Sequence, residues 1–195
     1  MQDYVGKHID RYRVTERLGM GGMAVVYKAY DTRLERDVAL KLIRTTEIPQ
    51  SQHERLMKRF EREAKSMANL DHPGIMKVFD YGEHNGTPYL VMQYLPSGTL
   101  KEKLGKPVDC RKAAQLLLPV AEALAYAHAH GVLHRDVKPS NILINERGEA
   151  VLTDFGIAKL LEGEEGHTMT GTGVGVGTPE YMAPEQGLGK EVDAR

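Results

Sequence analysis

The chain is expected to fold in the α+β class, with a β-rich N-terminal lobe holding one main helix and a mainly helical lobe after it. Three observations predict this. Short runs with two-residue alternation or dense β-branched content fill most of the first 95 residues. One stretch inside them, Ser51 to Leu70, switches to helical spacing through Leu56, Phe60, Met67 and Leu70. A long apolar helical run, Asp109 to His130, dominates the second half and stops at Gly131, a residue suited to a helix C-terminus.

In chain order, Tyr12–Leu18 alternates, Val25–Tyr30 is β-rich and Val38–Ile43 is a tight apolar run, with a turn at Asp31-Thr-Arg between the last two. The helix over Ser51–Leu70 comes next. Strands return at Ile75–Tyr81 and Tyr89–Gln93, joined by a turn at His84-Asn-Gly. Pro96-Ser-Gly marks a break, and Ser97 or Thr99 can cap a short helix after it. The helix over Asp109–His130 carries an apolar stripe of Ala113, Leu116, Leu117, Val120 and Leu124. Short strands are expected after it at Ile142–Ile144 and Ala150–Thr153. Residues 1–95 are thus expected to form one lobe and 96–195 the other. Gly163 to Gly177, rich in glycine and poor in bulky apolar residues, reads as a surface loop.

Composition narrows the function classes. The 26 basic and 27 acidic side chains leave a formal charge of −1, which argues against a nucleic-acid binder and a polybasic membrane arm. The polar start, MQDYVGKHID, is no secretion signal. No apolar run reaches the length of a membrane span: Ala113–Ala129 is interrupted by Gln115, Pro119, Glu122 and His128. The single cysteine, Cys110, excludes an internal disulfide and fits a reducing compartment.

Three groups of residues carry chemistry. Leu18-Gly19-Met20-Gly21-Gly22-Met23-Ala24 lies between two strands, where bare backbone can approach a phosphate closely. Ala24 stands where G-x-G-x-x-G has its third glycine, and a strand comes next, which argues against a dinucleotide turn. Lys41 sits in the apolar run Val-Ala-Leu-Lys-Leu-Ile, where it either snorkels at an exposed edge or finds a counter-charge. Glu63 interrupts the apolar stripe of the first helix and is its natural partner. The third group is His134-Arg-Asp-Val-Lys-Pro-Ser-Asn141 with Asp154-Phe-Gly after it. Two oxygen ligands near a phosphate site suit Mg²⁺, and a further carboxylate can take a proton from an attacking hydroxyl.

In this order, with Ala183-Pro184-Glu185 after them, the motifs resemble the protein kinase family, specifically the eukaryotic-like Ser/Thr kinases of bacteria. The resemblance spans essentially the whole chain. It implies a bilobal kinase-like fold, ATP and Mg²⁺ as cofactors, and transfer of the γ-phosphate to serine or threonine hydroxyls of protein substrates. By the same resemblance Gly19, Gly21, Gly22 and Ala24 cover the phosphates, with Leu18, Val26, Ala39 and Leu143 around the adenine. Met92 takes the gatekeeper position, and Gln93 to Leu95 supply backbone to the base. Lys41 meets the α- and β-phosphates and pairs with Glu63. Asp136 is the catalytic base, Lys138 stabilises the moving phosphate, and Asn141 and Asp154 hold the metal.

Regulation is read the same way. Thr170 and Thr172 resemble paired autophosphorylation sites, with Arg135 as the cation that receives the phosphate. Thr178 is expected to bond Asp136 and Lys138. Arg11 and Leu34 resemble a back-to-back homodimer surface on the N-terminal lobe. The chain ends at Arg195, soon after Ala-Pro-Glu, so an incomplete C-terminal lobe is expected. With it come an apolar stripe short of partners and the competing reading of a catalytically incompetent or pseudokinase-like nucleotide-binding module. The expected location is cytoplasmic, any membrane tether lying outside this chain.

Overall fold

The computed structural model describes residues 3–22, 24–45, 50–105, 107–155 and 179–194. The chain forms two compact units, Met1–Ala68 with Lys77–Tyr94, and Asn69–Met76 with Leu95–Arg195. Among the described residues no helix is long and apolar enough to cross a membrane.

The first unit is built on a six-stranded antiparallel sheet: β1 (His8–Ile9), β2 (Tyr12–Met20), β3 (Ala24–Asp31), β4 (Arg36–Ile43), β5 (Val78–His84) and β6 (Thr87–Gln93). Their order in space is β1-β2-β3-β4-β6-β5. Side chains alternate across a strand, so register decides which residues share a face. Val25, Tyr27, Leu40, Leu42, Tyr89 and Val91 belong to one apolar cluster on one side. On the other, Val26 pairs with Lys41, Lys41 with Leu90, and Ala39 with Met92.

The turns obey local chemistry. Asp31 Oδ1 accepts the backbone N–H groups of Arg33 (3.0 Å) and Leu34 (3.2 Å), closing the β3–β4 connection. Asn85 and Gly86, at φ 49° and 76°, form the two-residue turn between β5 and β6. Helix α1 (Gln50–Ala68) buries Leu56, Phe60, Ala64 and Met67. Phe60 meets Tyr81 of β5 edge-on at 6.2 Å. The other face carries the exposed pairs Lys58–Glu54 (2.8 Å) and Lys65–Glu61 (2.7 Å), which water and salt screen.

Gly82 gives a direct stability test. A Cβ there would lie 2.7 Å from Tyr89 Cζ, its cross-strand neighbour. The Tyr89 ring cannot swing clear cheaply, because its hydroxyl is bonded to the Asp10 carboxylate. Gly82→Ala is expected to cost about 1–3 kcal/mol, read as a lower midpoint in chemical denaturation. An unchanged midpoint would mean that the ring is free to move.

The second unit holds α2 (Leu100–Lys103), α3 (Cys110–Ala129), a 3₁₀ turn (Pro139–Asn141), the hairpin β7 (Ile142–Ile144) and β8 (Ala150–Leu152), a second 3₁₀ turn (Pro179–Tyr181) and α4 (Pro184–Gly187). Thr99 caps α2 with a reciprocal Glu102 contact, and Asp109 caps α3. At the end of α3, Gly131 takes φ 72°, as expected of a glycine closing a helix.

Two expectations need correction. The strand expected over Ile75–Tyr81 begins only at Val78, because Ile75 and Met76 belong to the second unit. Met76 N–H donates to the Leu152 carbonyl (2.8 Å), and Ile75 bridges Leu152. The stripe expected on α3 also shifts. Val120, Ala123 and Ala127 are buried, whereas Leu117 stays 51% exposed. The buried face is set by close backbone approach: a Cβ on Gly74 would lie 2.9 Å from the Pro119 carbonyl and 3.2 Å from Ala123 Cβ.

Candidate active site

In the first unit the register places Val26, Ala39, Lys41 and Met92 on the sheet face away from the apolar cluster. Ala39, Lys41 and Met92 are buried, Lys41 to 7% exposure, and Val26 is half-buried. A lysine so enclosed on a central strand is not an edge residue reaching for water. Glu63 on α1 is 18% exposed, between the buried Phe60 and Met67. The Arg62 guanidinium stands 3.5 Å from its Oε1, a loose contact of small value.

Across the β2–β3 turn, Gly21 N–H donates to the Ala24 carbonyl at 2.9 Å. Leu18, Gly19, Gly21 and Gly22 are exposed, and Ala24 is buried. A Cβ on Gly19 would meet nothing within 4 Å, and one on Gly21 only the Ala24 carbonyl at 3.9 Å. Neither glycine is required by crowding or by a left-handed φ. At Gly19 and Gly21 the turn therefore offers bare backbone that no side chain among the described residues crowds. Gln93 N–H is spent on the Lys77 carbonyl at 2.9 Å.

In the second unit the loop between α3 and β7 is tied residue by residue. His134, 2% exposed, lies 2.7 Å through Nε2 from the Thr153 carbonyl, and its Nδ1 accepts the Asp136 N–H at 3.2 Å. One ring nitrogen donates and the other accepts, so the ring is neutral, and burial pushes its pKa below the ordinary histidine value. Phe155 lies against it, ring centroids 4.6 Å apart.

Asp136 is held from two sides. Asn141 Nδ2 donates to its carbonyl (2.8 Å) and to Oδ2 (2.9 Å), and Lys138 Nζ sits 2.7 Å from Oδ2. The pair is partly open, with side-chain exposures of 18% for Lys138 and 23% for Asp136. With both amide hydrogens of Asn141 turned inward, its carbonyl oxygen is the end left to act as a hard ligand. Asp154 has φ 68°, a left-handed value uncommon outside glycine. Leu143 is half-buried on β7 and bridges Thr99; Leu95 is half-buried. Thr170, Thr172 and Thr178 lie outside the described residues.

The donor set fits Mg²⁺. One amide oxygen and one carboxylate, from Asn141 and Asp154, suit an ion that keeps waters and substrate phosphates in its shell. Among the described residues no cluster of three His, Cys, Asp or Glu side chains forms a dedicated metal cage.

Sequence reasoning assigns no role to two residues that the structure places at the site. His134 is one, although a histidine two residues before a loop aspartate can accept that aspartate's N–H. Gln186 is the other; it donates through Nε2 to the Arg135 carbonyl at 2.7 Å. No spacing rule links positions so far apart.

The first unit thus holds a buried lysine on a sheet face beside a glycine-rich turn, and the second a pinned Asp–Lys–Asn loop. Residues 12–194 match the protein kinase domain family, and the chain belongs to it. It is 41% identical over 191 residues to a probable serine/threonine-protein kinase of Streptomyces coelicolor, covering 95% of this chain and 28% of that protein. Identity is 42% over 192 residues to the serine/threonine-protein kinase PknB of Mycolicibacterium smegmatis, covering 95% and 30%. The crystal structure of the Mycobacterium tuberculosis PknI kinase domain matches with a TM-score of 0.74 and 30% identity, over 97% of this chain and 68% of that one. The chain thus spans under a third of the length of these curated relatives.

Proposed function

We propose that the protein is a Ser/Thr protein kinase that transfers the γ-phosphate of ATP to protein hydroxyls. The observation that carries this is the geometry around Asp136. Lys138 and Asn141 both contact Oδ2, which leaves Oδ1 to take the proton of the attacking hydroxyl. As the acceptor oxygen bonds to the γ-phosphorus, the bond to the leaving β-phosphate oxygen breaks and ADP departs. Little else has to be done covalently, so positioning and charge supply most of the acceleration.

Mg²⁺, when bound, neutralises developing phosphate charge, and Asn141 and Asp154 are the residues to hold it. Lys41, pairing with Glu63, grips the α- and β-phosphates. Gly19, Gly21, Gly22 and Ala24 present backbone to them. Leu18, Val26, Ala39 and Leu143 enclose adenine, with Met92 as gatekeeper and Gln93 and Leu95 offering main chain. Lys138 also steadies the moving phosphate.

Thr170 and Thr172 are the proposed autophosphorylation sites. A phosphate there brings about −1.5 to −2 charges opposite Arg135. A second copy docking through the first unit is favoured by Leu34, 54% exposed, beside Arg11, which is fixed by Asp31 (3.3 Å) and Asp80 (3.0 Å).

The test is phosphosite mapping of the full-length protein after incubation with ATP and Mg²⁺. Phosphate is expected on serine and threonine, first on Thr170 and Thr172. Thr170→Ala with Thr172→Ala should lower turnover without loss of ATP binding. Phosphotyrosine alone would reject the Ser/Thr reading, and full activity in the double variant would reject the switch.

A further inference from the structure

We propose that Gln186 is a positioning residue for Asp136, acting through the Arg135–Asp136 peptide. The inference rests on Asp136 being the catalytic base. Arg135 has φ 66°, a left-handed value that a non-glycine residue holds only when its surroundings impose it. The peptide plane between Arg135 and Asp136 is fixed at both edges. Its N–H, from Asp136, donates to His134 Nδ1 at 3.2 Å. Its C=O, from Arg135, accepts from Gln186 Nε2 at 2.7 Å. The Asp136 side chain springs from that plane, so a rotation of the plane moves the carboxylate.

The contact is directional because the other end of the amide is also engaged. Gln186 Oε1 accepts the Ala183 N–H at 3.3 Å, at the start of α4. Ala183 has no side-chain acceptor for that helix end, so Gln186 supplies only the returning half of a capping pair. With Oε1 facing an N–H, Nε2 must face outward, toward the Arg135 carbonyl. Glutamine alone has the length and the donor–acceptor pair to serve both. A glutamate would keep the cap but set an anion against a carbonyl, and a methionine would fill the space with neither contact.

His134, Lys138, Asn141 and Thr153 tie this loop to itself and to the β7–β8 hairpin. Gln186 brings in α4, across 51 residues of sequence. Residues of α4 and the geometry of the base are thereby mechanically linked.

The test compares the full-length protein with its Gln186→Glu and Gln186→Met variants, reading steady-state kinetics and amide hydrogen exchange at Asp136. Both variants are expected to lose about 10- to 100-fold in kcat, with KM for Mg-ATP within about twofold of wild type, as a small misplacement of a reacting group does. The Asp136 amide should exchange faster in both. Wild-type kcat in either folded variant overturns the proposal, as does a loss of kcat with unchanged Asp136 exchange. If the wild type itself transfers no phosphate, the kinase reading fails. The exchange comparison then still judges the Gln186 contact on its own.

Discussion

Asp136→Asn is expected to lower kcat by about 10²- to 10⁴-fold, the range a positioned general base contributes. The substitution is nearly isosteric. It keeps the main-chain bonds to His134 and Asn141, which involve the Asp136 N–H and C=O rather than its carboxylate. What disappears is the charge that draws Lys138 Nζ to 2.7 Å and the oxygen that accepts the hydroxyl proton. The asparagine amide presents a donor to Lys138 in one orientation and a weak acceptor in the other. The pair is partly exposed, so stability should change by no more than about 1 kcal/mol. Binding of Mg-ATP should survive, because Asn141 keeps its bond to the residue 136 carbonyl and Asp154 is not substituted. A loss confined to kcat identifies Asp136 as acting on the reacting atoms. A matching rise in KM would assign it to binding instead.

Lys41→Met should lower transfer by about 10²- to 10³-fold, the cost of deleting one preorganised charge at developing negative charge. Lys41 is enclosed between β3 and β6, opposite Val26 and Leu90, at 7% exposure. Methionine keeps the unbranched stem and fills the same volume, so the sheet should retain its register. In the proposed pairing, removing Lys41 leaves the Glu63 carboxylate uncompensated in a partly buried position, so the melting temperature is expected to fall somewhat while the protein stays folded at assay temperature. The phenotype is inactivity in a folded protein. A lower melting temperature with transfer intact would return Lys41 to a structural role.

Much of the fold is legible in the sequence because its signals are local. The apolar run Val38–Ile43 becomes a central strand, and the Asn85-Gly86 turn, the Thr99 and Asp109 caps and Gly131 all sit where residue chemistry puts them. The features that escape depend on where the chain goes next. Ile75 and Met76 are as strand-like as Val78, but they belong to the second unit, where Met76 N–H donates to the Leu152 carbonyl and Ile75 bridges Leu152. Leu117 and Ala123 cannot be ranked by hydrophobicity alone: the small alanine is buried because Gly74 approaches α3 closely.

Motif order singles out the candidate site residues, yet it carries no account of how they are held. The neutral His134 clamp depends on a burial that no two-residue spacing reveals. The short β1 strand, His8–Ile9, is invisible in the sequence because two residues have no period.

The most direct test is transfer of labelled γ-phosphate from ATP, with Mg²⁺, to a Ser/Thr-containing protein acceptor. The full-length wild type, Asp136→Asn and Lys41→Met would be measured side by side, each with its melting temperature. Label is expected on serine and threonine for the wild type, with near-background transfer for both variants while each remains folded at the assay temperature. Wild-type transfer by either folded variant, or no transfer by the wild type, would contradict the assignment of Asp136 and Lys41 to phosphoryl transfer.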